Sequence, residues 1–176
     1  NNIDNTKLSF VQDKDIEFFA KEHIYVYKKF IQLKAVSDVI SMFFRKFDSI
    51  SWSRKKALGN GISQRCQLEQ WDCKGAESRE VGTYLHEQIH KHFIRETPDF
   101  AYHFQYNGEE VHVDKIVDIS TEYTYFKKFL NEENIIPFRT EWQIFDPVLR
   151  IAGTIDFLSR NDSEFDLYDW KRSDKI

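Results

Sequence analysis

Three runs in the last third of the chain constrain the fold most. Residues 138–145, 149–158 and 165–171 are rich in β-branched and aromatic side chains. Asp146-Pro147 separates the first two, and Asn161-Asp162-Ser163-Glu164 separates the last two. They predict a small antiparallel meander. A turn centred between Asp162 and Ser163 sets Asp156 opposite Asp169, where Cβ atoms are about 4.5–5.5 Å apart. Lys171 then shares the face of Asp169. A first turn centred between Pro147 and Val148 sets Glu141 opposite Thr154 and diagonal to Asp156. Three carboxylates and one lysine converge, while Trp142, Ile144, Ile155, Phe157, Tyr168 and Trp170 fill the other, apolar face. Facing carboxylates repel unless they share a proton or bind a divalent cation.

The rest of the chain adds helices. Short strands are expected at 24–27 and 30–33, although the Lys28-Lys29 turn lacks Gly or Asn. Ser37 is expected to cap a helix to about Phe47 with Val39, Ile40, Phe43, Phe44 and Phe47 inward. Ser51 opens a short helix, and 58–75, with Gly59-Asn60-Gly61, reads as a loop. Val81, Leu85, Ile89 and Phe93 mark a helix over 77–95, Tyr106-Asn107-Gly108 a turn, and Ser120 or Thr121 the start of a helix to about Asn134. The result is a mixed α/β (or α+β) chain.

At 176 residues, with 41% hydrophobic and 31% charged residues, the chain fits one folded soluble domain. It has no apolar run of membrane-spanning length and no signal-peptide pattern, so no membrane partner is expected. Two cysteines, Cys66 and Cys73, are too few for a disulfide framework or an iron–sulfur cluster, and point to free thiols in a reducing, intracellular compartment. A formal charge of −4 excludes a generally basic protein but not a local nucleic-acid site. With no initiating Met, the chain reads as a fragment of something longer.

Gly82-Thr83-Tyr84-Leu85-His86, Glu141, Gly153-Thr154-Ile155-Asp156 and Asp169-Trp170-Lys171 occur in an order that resembles the RecB-type exonuclease branch of the PD-(D/E)XK nucleases. The preceding hairpin and Val36-Ser37-Asp38-Val39-Ile40 helix are similar to RecB-type exonucleases of the mitochondrial genome maintenance kind. The resemblance implies an N-terminal hairpin and helical extension over 1–76 and a nuclease core over 77–176. In that core a central sheet is flanked by helices, and the last core helix and strand are missing. It implies one or two Mg²⁺ or Mn²⁺ ions held by His86, Asp156, Asp169 and the Trp170 carbonyl, with Glu141 as an outer ligand. Lys171 would orient the attacking water and stabilise charge on the phosphate. A single imidazole ligand would favour Mn²⁺. The implied activity is metal-dependent hydrolysis of DNA, exonucleolytic on single-stranded ends, with RNA possible through a similar endonuclease site. His90 stands where many relatives carry Glu.

One rival motif overlaps. His86-Glu87-Gln88-Ile89-His90 matches the HExxH pattern, in which two histidines hold Zn²⁺ and the Glu is general base. Phe93 and Glu96 break the longer form of that motif, and Glu122 is the only guess for a third ligand. His90 and His92 otherwise read as surface helix residues. Arg54, Lys55 and Lys56 are candidate phosphate contacts, as are Arg45-Lys46 and Lys127-Lys128. Trp52 and Trp71 read either as core or as stacking partners for single-stranded bases.

Overall fold

The computed structural model describes residues 13–19, 22, 24–133, 135–161 and 164–173. Asp162 and Ser163, at the tip of the second expected turn, lie outside them. The chain is mixed α/β and divides into two units, one of residues 1–45, 93–96 and 131–170, the other of 46–92, 97–130 and 171–176. Among the described residues no helix is long and apolar enough to cross a membrane.

The first unit is built on a mixed sheet. Strands β1 (Ile16–Phe19), β2 (Ile24–Tyr27) and β3 (Ile31–Ala35) form an antiparallel meander. β3 pairs in parallel with β7 (Ile151–Asn161), and β7 pairs antiparallel with both β6 (Pro137–Asp146) and β8 (Glu164–Tyr168). A six-residue helix, α1 (Val36–Ser41), follows β3. One core gathers Ile16, Tyr25, Leu33, Ala35 and Ala152, with Phe18, Tyr27, Ile31 and Phe145 packed on it. A second is centred on Phe157, whose ring stacks on Phe93 at 4.6 Å and lies 5.6 Å from Trp170.

The second unit holds helices α2 (Ser49–Asn60), α3 (Gln64–Phe93, whose last residue belongs to the first unit) and α4 (Ser120–Glu132), with the hairpin β4 (Ala101–Asn107) and β5 (His112–Asp118). Polar contacts run along α3 in reverse order to β4: Tyr102 donates to Glu80 at 3.0 Å and Tyr106 to Asp72 at 3.0 Å. Beyond them, Glu69 accepts the backbone N–H groups of Glu109, Glu110 and Val111 in the hairpin loop. A Cβ on Gly108 would overlap the Glu69 carboxylate, so glycine here lets Glu69 reach those three N–H groups.

Several expectations are corrected here. The helix expected to reach Phe47 ends at Ser41, and its apolar residues Ile40, Phe43, Phe44 and Phe47 are exposed instead of inward. No side chain caps it, which removes the role expected of Ser37. The loop expected over 58–75 is helical apart from a short break. Gly61, at φ 66°, ends α2 in the left-handed conformation, and α3 starts at Gln64 and runs through position 76 without interruption. Ile144 is exposed, whereas Phe157 on the same expected apolar face is fully buried. His92 is half-buried, its Nδ1 3.0 Å from the Tyr123 hydroxyl, and burial holds its pKa down. Cys66 and Cys73 are free thiols on α3, one half-buried and the other buried.

The β6–β7 loop is four residues long. Asp146 Oδ1 accepts from the N–H groups of Val148 and Leu149, at 2.8 and 2.9 Å, and Arg150 closes the loop at φ 55°. A non-glycine residue there costs about 1–2 kcal/mol, partly offset by the extra unfolded-state freedom of glycine. Arg150→Gly is therefore expected to stabilise the protein by about 0.5–1 kcal/mol, or a rise of roughly 1–4 °C in Tm. A lower Tm by calorimetry would show that the Arg150 side chain contributes more than its backbone costs.

Candidate metal centre

The acids sit on β6, at one end of the strand order in the first unit, and on its neighbour β7. Thr140 pairs with Phe157 and Trp142 with Ile155, so Glu141 stands opposite Asp156. The expected partner of Glu141 was Thr154; the longer loop shifts the register by two residues. A two-residue shift keeps each side chain on its own face, so the acids remain neighbours. The ladder skips the Glu141–Asp156 pair itself, and Glu141 has φ 50° in mid-strand. Such a backbone costs about 1–3 kcal/mol and concentrates at functional sites.

Carboxylate oxygens of Glu141 and Asp156 lie within 4.8 Å of each other, and both residues are half-buried. Burial, and then the charge of Asp156, push the Glu141 carboxyl up to about 7. Asp156 is held from two sides. Thr140 Oγ1 donates to its carbonyl at 3.1 Å, and the Trp170 N–H donates to its Oδ2 at 2.8 Å. Next to them on β7, the Thr154 hydroxyl is 3.0 Å from that of Tyr25. Burial raises the Tyr25 pKa, with the Glu141 charge adding to the effect.

Hard oxygen donors on this scale fit a divalent cation, whose oxygen ligands lie about 2.0–2.6 Å from the metal. The pair has the two features that such an ion would relieve, mutual repulsion and a raised carboxyl pKa.

Asp169 and Lys171 depart from expectation. β8 keeps the expected register, Phe157 opposite Tyr168, but ends at Tyr168 instead of continuing to Lys171. The Trp170 N–H bonds to the Asp156 side chain in place of a ladder partner, and Asp169 and Lys171 are exposed. His86 is half-buried on α3 of the second unit. One residue on, Glu87 is exposed and paired with Lys91 at 3.0 Å. Glu122 accepts from Arg172 Nε at 3.0 Å. Among the described residues no group of three ligands contains both His86 and His90. Arg54, Lys55 and Lys56 lie exposed on α2, where Arg54 Nε donates to Gln64 Oε1 at 3.3 Å.

Sequence reasoning missed Tyr25 and Thr140. Tyr25 lies 129 residues from Thr154, and no motif joins the two. Thr140 had a signal, since a hydroxyl beside Glu141 in a strand can hold the facing backbone. No protein-family model matches this chain, and no curated protein or solved structure matches it.

Proposed function

We propose that the chain is a metal-dependent nuclease that hydrolyses phosphodiester bonds, with single-stranded DNA ends as substrate. The observation that carries this reading is the half-buried Glu141–Asp156 pair, with a raised carboxyl pKa and a left-handed residue at its centre. In this reading Glu141 and Asp156 hold Mg²⁺ or Mn²⁺, and Asp169 serves a second ion. The bound ion supplies Lewis acidity, lowering the pKa of water and drawing charge from the phosphate.

The chain's own groups do the rest. Thr140 and the Trp170 N–H fix the backbone and carboxylate of Asp156. Glu141, whose carboxyl is held up to about 7 without a cation, gives up its proton when it binds the ion. Lys171 orients the attacking water and stabilises negative charge on the phosphate. The order of acids along the strands supports this assignment, as does the Asp-x-Lys spacing at 169–171.

The zinc-protease alternative is weaker. Glu87, its general base, is paired with Lys91, and Glu122, its guessed third ligand, is paired with Arg172.

A 5′-labelled single-stranded oligonucleotide should be shortened in Mg²⁺ or Mn²⁺ and remain intact in EDTA. Asp156→Asn should abolish cleavage, and Glu87→Gln should keep most of it. Zinc-dependent peptide hydrolysis that needs both Glu87 and His90, without nucleic-acid cleavage, would overturn the assignment.

A further inference from the structure

The stretch from Lys46 to Leu58 carries four cationic residues and one carboxylate in a chain whose net charge is −4. The carboxylate, Asp48, is already engaged: it caps α2 by accepting from the Ser51 N–H at 3.0 Å. The stretch also leaves large rings in water, with Phe47 65% and Trp52 52% exposed. Neither ring is loosely placed. Phe47 rests on Trp71 at 5.9 Å, and Lys55 Nζ lies 5.3 Å from the Trp52 ring centre.

The arrangement on α2 narrows the kind of partner. Ser53 and Ala57 are buried and define the inward face. Trp52, Lys55 and Lys56, at three- and four-residue spacing, share another face that points to solvent. Arg54 lies off that face, bonded to Gln64. A membrane-surface helix separates its apolar and cationic faces. Here the ring and the ammonium groups occupy one face, which suits a ligand that offers flat apolar surfaces beside regularly spaced anions. Unpaired bases on a phosphate backbone have that chemistry.

We infer that the Trp52–Lys55–Lys56 face of α2 is a stacking platform for single-stranded nucleic acid. A base stacks on Trp52, while Lys55 and Lys56 meet the phosphates. The platform reads no sequence, because every base has a π face. It rests on the nuclease reading for its purpose, holding a strand that the carboxylate centre cuts, but its binding needs no metal.

The test is fluorescence anisotropy of a labelled oligothymidylate with the full chain in EDTA, with cleavage in Mn²⁺ assayed separately. Trp52→Ala should weaken binding about ten-fold or more, and Trp52→Phe should restore most of it. Lys55→Ala with Lys56→Ala should reduce the salt slope by about 1 to 1.5. Wild-type affinity in Trp52→Ala, no binding at all, or preference for phosphatidylserine vesicles over the oligonucleotide would overturn the platform. Binding that depends on Trp52 without any cleavage in Mn²⁺ would support the platform and refute the nuclease reading.

Discussion

Glu141→Gln is expected to stabilise the metal-free protein at pH 8 by on the order of 3 kcal/mol and to remove most of its pH dependence between 4.5 and 7. Burial and the Asp156 charge raise the folded carboxyl from 4.5 to about 7. Between those values the folded state keeps a proton that the unfolded state has lost, so stability falls as pH rises. The contribution is fully present below about pH 4.5 and lost above about pH 7. The magnitude follows from 1.36 kcal/mol per pH unit and is an upper figure for a half-buried group. In the wild type, Mg²⁺ or Mn²⁺ should reverse the loss, because a cation favours the ionised pair. Urea denaturation at pH 5 and pH 8 measures both effects. Equal wild-type stability at the two pH values would mean that Glu141 titrates as an ordinary surface carboxyl.

Lys171→Ala is expected to slow cleavage by about 10²–10³-fold, the usual loss when one electrostatic stabiliser of a transition state is removed. Lys171 is exposed and follows the sheet, and the Tm of the variant, read alongside, separates a loss of chemistry from a loss of fold. Metal affinity should stay close to wild type. Single-turnover cleavage of a labelled strand separates the chemical step from binding. A wild-type rate would remove Lys171 from the mechanism.

How much of this was legible in the sequence depended on what holds each element. The β7–β8 register followed from turn arithmetic, and the ladder from Phe157–Tyr168 to Asn161–Glu164 has that register. The β6–β7 register did not, because its loop is set by two bonds to the Asp146 side chain and a left-handed Arg150. Without a glycine, the sequence gives no mark of such a loop. The error still kept Glu141 on the face of Asp156, since side chains alternate with a period of two.

Other misreadings have different causes. The first turns of α3 face the β4–β5 hairpin, Glu69 its loop and Asp72 the Tyr106 hydroxyl on β4, so polar contacts replace the apolar periodicity that marks an amphipathic helix. β4 did carry a signal, the alternation Tyr102, Phe104, Tyr106, with Phe104 fully buried. The aromatic run after α1 has the apolar periodicity of an inward helix face, yet Phe43, Phe44 and Phe47 are exposed. Its exposure, and that of Trp52, sets rings beside cations at the surface.

We propose a divalent-cation site at Glu141 and Asp156. Calorimetric titration of the metal-free protein with Mn²⁺ tests it most directly. Wild type should bind with an affinity that rises as pH increases through about 7, as the Glu141 proton is displaced, and Asp156→Asn should weaken binding at least ten-fold. No binding at millimolar Mn²⁺, or equal binding by Asp156→Asn, would contradict it.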